Sequence, residues 1–289
     1  MPAVQNAVDV HLHLSRWWRE IRVTGYRSDI DYTLKGLLHE MDVAGIERGV
    51  LIQTNDAPSP PEGLVEAREL VAQSEGRLHL VSTVDPTQGE AAVTHMIALW
   101  NDVPELSGIK LFPGYHPFYP HDRRLDPVYE YAKRRKIPIL IHTGDTMDNG
   151  GLIKYSRPIE IDEVAVRFRD VPFVLCHFGN PWINEAAELV YKNPNVWADT
   201  SGLLAHPSYP FYKEMVEVCR RRVLDAILQI GSTEKVLYGS DWPLLDLQVA
   251  LTLVTALPLP EKDRAAVLGE NARRLYGMPA AGRARPGPS

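Results

Sequence analysis

The chain has 289 residues, of which 45% are hydrophobic, and it carries a formal net charge of -6. This length and composition are enough for one large hydrophobic core. The acidic balance argues against nucleic acid and anionic membrane surfaces as partners.

The cellular compartment can be inferred from cysteine usage and from the N-terminal segment. Cys176 and Cys219 are the two cysteines, too few for a disulfide scaffold, so we expect a reducing compartment. The segment MPAVQNAVDV lacks the basic stretch followed by an apolar stretch that is typical of a secretory signal. No apolar run approaches the roughly 20 residues of a membrane span. The sequence therefore predicts a soluble, cytoplasmic protein.

Eight short apolar runs follow one another along the chain, and each ends in Gly, Pro, Asn or Asp. Most are continuously apolar, which is typical of parallel strands that are covered on both faces. In chain order they are AVDVHLHL from Ala7, GVLIQTN from Gly49, LHLVSTVDP from Leu78, GIKLFPG from Gly108, PILIHTGD from Pro138, PFVLCHFG from Pro172, VWADTSG from Val196 and VLYGSDWP from Val236.

Segments with helical periodicity separate these runs. The segment DYTLKGLLHEMDVAG places Leu34, Leu37, Leu38 and Met41 on one stripe and ends on Gly45. Similar segments are LVEARELVAQSEG, PVYEYAKRRK, IDEVAVRFRD, WINEAAELVYKN and EMVEVCRRRVLDAILQIG. The alternation predicts an α/β protein with a (β/α)8 TIM barrel as a single domain. An open doubly wound sheet is the alternative, but no Gly-rich phosphate loop follows the first strand.

The domain boundaries follow from composition at the C-terminal end. We assign residues 1–278 to the barrel. The final segment, PAAGRARPGPS from Pro279, is rich in Pro and Gly and is basic. Such a segment has little apolar surface to bury, so we predict a disordered tail over residues 279–289.

Polar side chains stand where several of the predicted strands end, which is where the functional groups of a barrel lie. In strand order they are His11, His13, Lys110, His142, His177, Asp199 and Asp241. Residues i and i+2 of a strand point to the same side, so His11 and His13 both face the mouth of the barrel. A single histidine in an apolar strand is more often a core residue than a ligand. Several imidazoles and a carboxylate at matching positions instead predict a divalent-metal site, with zinc first and manganese, iron or nickel as alternatives.

The same residues carry a family resemblance. The motifs DVHLHL, GIKLFPG, PILIHTGD, LCHFGNPW, DTSG, YGSDWP and LGENARRLYG together resemble the amidohydrolase superfamily. The closest likeness is to the amidohydrolase-related branch that includes aminocarboxymuconate semialdehyde decarboxylase. The resemblance extends from Asp9 to Met278 and implies a (β/α)8 barrel, in agreement with the strand pattern.

The resemblance also implies roles for individual residues. His11, His13 and His142 match metal ligands, and Asp241 matches the aspartate that contacts the metal or its water. His177 matches a histidine beside the metal water that acts as an acid/base or electrostatic partner. Lys110 matches the position of a carboxylated lysine that bridges two ions in two-metal members. Because this branch mostly uses one metal, we expect one ion per chain and a substrate or supporting contact for Lys110.

Three predicted loops suggest the substrate. Aromatic and cationic side chains follow the first, fourth and fifth strands, a combination that suits a small planar carboxylate. The candidate contacts are Arg16, Trp17, Tyr115 and Arg157, with Lys110 in the fourth strand. The alternative is that the aromatic rings pack under the loops and the arginines face water. His116 and His121 are further candidate ligands, although loop histidines are usually surface residues.

Two reactions use the same predicted groups. A bound divalent ion lowers the pKa of its water to about 7, and Asp241 and His177 could then move protons. This chemistry hydrolyses amides, lactones and esters. The alternative is a non-oxidative decarboxylase of a small aromatic or muconate-like acid. The chain is short beside such decarboxylases, which favours a hydrolase; the complete ligand set argues against a non-catalytic barrel.

Self-association is the last expectation. The resemblance suggests a homodimer, and an apolar rim would support it. The rim residues are Trp182, Tyr209, Phe211 and Tyr212. The other predicted partner is a small-molecule substrate.

Overall fold

Eight parallel strands form one sheet in chain order in the computed structural model, which describes residues 4–18, 30–204, 207–208 and 210–281. The strands are β1 Ala7–Leu12, β2 Ile46–Ile52, β3 Leu78–Thr83, β4 Leu106–Leu111, β5 Ile139–Ile141, β6 Phe173–Leu175, β7 Val196–Asp199 and β8 Val236–Leu237. Each overlaps one of the eight apolar runs, so the strand prediction is confirmed.

The sheet closes between β1 and β8. The backbone N–H of Val10 donates to the carbonyl of Tyr238 at 3.0 Å, and the N–H of His13 donates to the carbonyl of Trp242 at 2.8 Å. A parallel bridge also joins Leu12 to Trp242. The predicted (β/α)8 barrel is therefore confirmed, and an open doubly wound sheet is excluded.

Helices alternate with the strands around the outside of the barrel. They are α1 Leu34–Ala44, α2 Pro60–Gln73, α3 Glu90–Asn101, α4 Asp126–Arg135, α5 Asp162–Arg167, α6 Ile183–Lys192, α7 Tyr212–Ile230, α8 Leu247–Thr255, α9 Glu261–Ala265 and α10 Asn271–Tyr276. The ends of α1 show why the sequence predicted it. The side chain of Thr33 accepts a hydrogen bond from the N–H of Gly36, and Gly45 ends the helix with φ 74°.

The sequence analysis missed helix α8, and it missed α3 as well. Helix α8 has the sequence LQVALTLVT, which contains no charged residue, so it lacks the charged face that marks the predicted helices. Leu247, Leu251 and Val254 are buried, and so are Ala250 and Leu253. These side chains pack into the apolar core between the strands and the helices.

The core has two apolar layers that leave the barrel mouth polar. Val8, Val50, Leu140 and Val174 are among the side chains that fill the barrel interior, as the interiors of such barrels are filled. A larger cluster lies between the strands and the helices. These apolar side chains fill the middle of the barrel. The polar side chains at the carboxyl ends of the strands therefore line a cavity at the mouth of the barrel.

The described helices do not include one with the length and apolar character that crossing a bilayer requires.

Phe211 of the predicted rim is 77% exposed, whereas Trp182 and Tyr212 are half-buried. Tyr209 lies outside the described residues, as do residues 282–289 of the predicted tail.

Candidate metal centre

Three of the predicted ligands meet where β1 and β8 end. The rings of His11 and His13 have centroids 5.1 Å apart. Asp241 is held beside them because its backbone N–H donates to the carbonyl of His11 at 3.0 Å. Its Oδ1 lies 3.4 Å from Nε2 of His11 and 3.4 Å from Nε2 of His13. These three side chains therefore present their ligand atoms to one point, with all of those atoms within 4.8 Å of one another.

The donor atoms of this group fit a cation. Nδ1 of His11 contacts Oδ2 of Asp199 at 3.0 Å, and a carboxylate can only accept a hydrogen bond. Nδ1 therefore carries the hydrogen, and Nε2 presents its lone pair toward Asp241. This Nε2 atom is buried and meets no hydrogen-bond partner in the described part of the chain. Since such an atom costs about 1–3 kcal/mol when left unsatisfied, a divalent ion among His11, His13 and Asp241 would satisfy it.

Asp199 is the supporting residue to which sequence reasoning gave no role. Besides His11, it accepts hydrogen bonds from the N–H of His177 at 2.9 Å and from the N–H and Oγ of Ser201 at 3.0 and 2.5 Å. Burial raises the pKa of Asp199, but His11 and the hydrogen bonds outweigh it and hold the pKa below its usual range. Asp199 is thus an ionised acceptor that holds His11 and His177. Its position at the end of β7 was the feature of the sequence that could have indicated this role.

His142 and His177 lie beside the three-residue group and contact each other. Nε2 of His142 donates to the carbonyl of Asp145 at 3.0 Å, so its Nδ1 is an acceptor. Nε2 of His177 lies 3.1 Å from that Nδ1, and Nδ1 of His177 lies 3.9 Å from Oδ2 of Asp241. The structure therefore places His177 between Asp241 and His142. The role of His142 as a metal ligand stays a prediction.

Burial sets the protonation of this cluster. It lowers the pKa of His142 well below its ordinary value, and the neighbouring His177 lowers it further. Burial also lowers the pKa of His177 to about 4, although the carboxylate of Asp241 acts in the opposite direction. Burial raises the pKa of Asp241, but His11, His13 and His177 outweigh it and leave the pKa below the usual range. At pH 7, His142 and His177 are thus neutral imidazoles beside the ionised carboxylate of Asp241, the states that bind a metal ion or accept a proton.

His177 and Asp241 share an uncommon backbone conformation. His177 has φ 60° and Asp241 has φ 67°, in the left-handed region that non-glycine residues rarely adopt. The hydrogen bond from the His177 N–H to Asp199 helps to hold the first of these conformations. Gly202 leaves room for both side chains, because a Cβ atom there would lie 2.9 Å from Oδ2 of Asp241 and 2.9 Å from Nδ1 of His177. Such strain concentrates at functional sites, which supports this cluster as the active centre.

Lys110 lies at the floor of the site and is fully buried. Its Nζ donates a hydrogen bond to Sγ of Cys176 at 2.9 Å and lies 5.2 Å from the ring centroid of Phe112. Burial raises the pKa of the Cys176 thiol, so the lysine faces a neutral partner. The ammonium group is therefore directed at a thiol in the barrel interior, and a bridge between two ions would require it to turn away.

A cavity of about 460 Å³ opens above these residues. Tyr115 lies on its wall, in edge-to-face contact with His142 at a centroid distance of 4.8 Å, and Lys110 reaches it from below. Trp18 also lines the cavity and stacks on His13 at 5.5 Å. The sequence analysis chose the neighbouring Trp17 as the substrate contact instead.

Arg16, Trp17 and Arg157, all predicted as substrate contacts, do not line this cavity. Nε of Arg16 donates to Oε1 of Glu66 at 2.9 Å, which turns the guanidinium away from the mouth. Arg157 pairs with Glu185 on the surface. Carboxylates thus hold both arginines outside the lining of this cavity.

Comparison with known families agrees with this architecture. A family model described as amidohydrolase matches residues 8–278 of the chain. No curated protein matches the chain.

Solved structures with the same fold include three that cover nearly the whole chain. An uncharacterised TIM-barrel protein from Bordetella bronchiseptica is 22% identical, with a TM-score of 0.74 over 96% of this chain and 100% of that one. A dihydroxybenzoic acid decarboxylase from a Polaromonas species, solved with manganese and the inhibitor 2-nitroresorcinol, is 16% identical, with a TM-score of 0.67 over 97% and 98%. A probable 2-pyrone-4,6-dicarboxylic acid hydrolase from Acinetobacter baumannii, with citric acid bound, is 16% identical, with a TM-score of 0.64 over 94% and 100%. At these identities the likeness establishes the fold.

Proposed function

The chain belongs to the amidohydrolase family of enzymes, and from that premise we propose that it is a metal-dependent hydrolase of a small carbonyl compound, namely an amide, a lactone or an ester. The observation that carries the proposal is the buried Nε2 atom of His11, which has no hydrogen-bond partner among the described residues and faces Asp241. A histidine oriented by Asp199 in this way has the tautomer that a metal ligand requires.

The residues that would hold the ion are His11, His13 and Asp241. We propose His142 as a further ligand. Two imidazoles and a carboxylate suit zinc, which we propose as the metal, at one ion per chain. When bound, a divalent ion at this place supplies a water of pKa about 7 and polarises a carbonyl oxygen. Lys110 in this proposal is an uncarboxylated substrate or supporting contact.

The protein's own groups would move the protons. Asp241 is ionised and can accept a proton on Oδ2, the oxygen that faces Nδ1 of His177 at 3.9 Å. His177 is neutral at pH 7 and lies within hydrogen-bond reach of His142. Such a carboxylate–imidazole pair can take a proton from the attacking water and return it to the leaving group.

The cavity lining carries charges of both signs. Of the described residues that line it, Lys110 contributes a cationic side chain, whereas Asp56, Asp148 and Asp241 contribute carboxylates. A bound divalent ion would add two positive charges, so this lining is compatible with a neutral or an anionic carbonyl substrate.

The second candidate is a non-oxidative decarboxylase. It is favoured by the structural similarity to the dihydroxybenzoic acid decarboxylase solved with manganese. In this reaction Lys110 would neutralise the carboxylate of the substrate, and His177 would deliver a proton to the carbon that loses carbon dioxide. Manganese would be the expected metal of this alternative.

One experiment separates the two reactions. The purified protein is analysed for bound metal and then screened in ¹⁸O-labelled water against lactones, amides, esters and aromatic carboxylates. A hydrolase incorporates the label into the product acid, whereas a decarboxylase releases carbon dioxide without consuming water. Turnover that persists after chelation of the metal would refute both proposals.

The remaining proposals concern the cellular context. We propose that the protein acts in the cytoplasm as a homodimer. Both cysteines are free, as expected of a reducing compartment. Phe211 offers an exposed apolar surface of the kind that dimer interfaces cover.

A further inference from the structure

A histidine–aspartate pair lies at the cavity rim, apart from the candidate metal centre. Nδ1 of His116 lies 3.5 Å from Oδ2 of Asp85. His116 follows β4 and lines the cavity, and Asp85 follows β3 and is 8% exposed. The reaction proposed above uses neither residue.

Asp85 is fixed in place by its own loop. Oδ1 accepts hydrogen bonds from the N–H of Thr87 at 2.9 Å and from Oγ1 of Thr87 at 2.7 Å. Oδ2 accepts one from Nε2 of Gln88 at 3.3 Å. The backbone of His116 is also held, because its N–H donates to the carbonyl of Phe112 at 3.1 Å. The carboxylate of Asp85 and the backbone of His116 are therefore both held in place.

The carboxylate of Asp85 favours one form of the imidazole. At 3.5 Å its negative charge attracts a nitrogen that carries hydrogen, so the neutral ring is favoured with its hydrogen on Nδ1 and a lone pair on Nε2. Among the described residues, Nε2 of His116 has no hydrogen-bond partner. The side chain of His116 is 29% exposed and lines the cavity, whereas that of Asp85 is 10% exposed.

The rim pair stands across the mouth from the candidate metal centre. In the closed barrel, β4 lies opposite β8, whose end carries Asp241. A substrate whose carbonyl lies at His11, His13 and Asp241 would therefore extend its other end toward the loop of His116.

We propose that Nε2 of His116 accepts a hydrogen bond from a hydroxyl group at the end of the substrate remote from the reacting carbonyl. The substrate class is accordingly a hydroxylated carbonyl compound. The inference rests on the proposed metal-dependent function for the position of the carbonyl. Asp85 is the positioning residue, and His116 is the specificity-determining contact.

His121 provides a matched control in the same loop region. Nδ1 of His121 lies 3.7 Å from Oε2 of Glu160, so it forms the same kind of pair. Its ring stacks on Tyr119 at 5.1 Å, and it does not line the cavity. A substitution at His121 therefore changes a loop histidine without changing the proposed contact.

The test measures binding, so it needs no known substrate. The probes are para-hydroxybenzohydroxamic acid and its para-methoxy analogue, together with the longer phenylacetohydroxamic pair. All four carry the same chelating group for the metal, but only the hydroxyl compounds can donate a hydrogen bond at the far end. Binding is measured by calorimetry on the metal-loaded protein. For the pair of probes whose length fits the cavity, the hydroxyl compound should bind with an affinity about fivefold higher than the methoxy compound, which corresponds to one hydrogen bond.

Variants of His116 and His121 test whether His116 causes the preference for the hydroxyl compound. His116→Phe should abolish it, His116→Gln should retain part of it through the amide oxygen, and His121→Phe should leave it unchanged. Metal content and near-UV circular dichroism confirm that each variant is folded. A preference that is absent from the natural protein, or that survives in His116→Phe, would overturn the inference while leaving the proposed function intact. A lack of metal-dependent binding by all four probes would instead overturn the proposed function, and this inference with it.

Discussion

Nδ1 of His11 and Oδ2 of Asp199 lie 3.0 Å apart, and this contact joins the end of β1 to the end of β7. Both residues are fully buried. Because the carboxylate fixes the hydrogen on Nδ1, it leaves Nε2 of His11 ready to bind a cation. A supporting carboxylate thus prepares the site before any metal arrives.

Replacing this carboxylate should weaken metal binding. Asp199→Asn places an amide opposite Nδ1 and removes the charge that favours the required tautomer of His11. We expect the metal affinity to fall by about 10–100-fold, measured by competition with a chromophoric chelator. Asp162→Asn is the control, because Asp162 pairs with Lys192 on the surface. An affinity equal to that of the natural protein would show that Asp199 does not tune the ligand.

His177 and His11 should differ in their effect on the metal. In His177→Asn the proposed ligands His11, His13, His142 and Asp241 remain, so the metal content should survive. Asn also tolerates the left-handed backbone at this position. Turnover should fall by about 10²–10⁴-fold, the usual worth of a positioned acid or base. His11→Ala should lose the metal and the activity together, and elemental analysis distinguishes the two variants. Loss of metal from His177→Asn equal to that from His11→Ala would make His177 a ligand.

The metal stoichiometry provides a further test. We predict about one divalent ion per chain, because Nζ of Lys110 is directed at the thiol of Cys176 and the two candidate ligand groups of the described residues, His11–His13–Asp241 and His11–Cys176–Asp199, share His11. Lys110→Gln should therefore leave the metal content unchanged. Elemental analysis that finds two ions per chain, halved by this substitution, would show a bridging lysine.

The strand ends could be predicted because the residues that determine them are neighbours in the sequence. A run such as AVDVHLHL encodes both a buried strand and the side chains that follow it. The closure of a parallel barrel then brings His11, His13 and Asp241 together whatever the details of the loops. The fold could accordingly be predicted from the sequence, and so could the place where these three side chains meet, whereas their role as metal ligands stays a prediction.

The side-chain partners in the loops could not be predicted in this way. The direction of Arg16 depends on Glu66, which is 50 residues away in the chain. Arg157 likewise depends on Glu185. Ion pairs between residues far apart in the chain leave no periodic pattern in the sequence. The sequence around a loop arginine is therefore the same whether its side chain faces the substrate or a carboxylate. The pairing of His116 with Asp85 escaped for the same reason.

Self-association can be tested at the exposed rim. We predict a homodimer whose interface includes Phe211, which is 77% exposed. Phe211 has φ 61°, so Phe211→Asn removes the apolar ring and suits the backbone. Light scattering at micromolar concentration should give a dimer for the natural protein and a smaller mass for the variant. A monomer in both cases would contradict the prediction.

The loop after β1 is fastened by Glu66 of helix α2. This carboxylate accepts hydrogen bonds from Oγ of Ser15 at 2.5 Å, from the N–H of Arg16 at 2.6 Å and from Nε of Arg16 at 2.9 Å. Ser15 also accepts a hydrogen bond from the N–H of Trp18 through its carbonyl at 3.2 Å. Since Trp18 stacks on His13, Glu66 positions an aromatic ring over a candidate metal ligand.

Glu66→Gln should therefore destabilise the protein and disturb the site. The amide keeps the size of the side chain but turns one of two acceptor oxygens into a donor, which faces other donors. We expect a loss of about 1–3 kcal/mol in the free energy of unfolding, measured by urea titration, because the group is buried. Metal binding should also change the fluorescence of Trp18 less than in the natural protein. Glu69→Gln is the matched control, since Glu69 contacts the same Arg16 at 3.2 Å but is 56% exposed at its side chain, where ion pairs contribute little. Equal stability of the two variants would show that the loop is held by packing instead of by the carboxylate of Glu66.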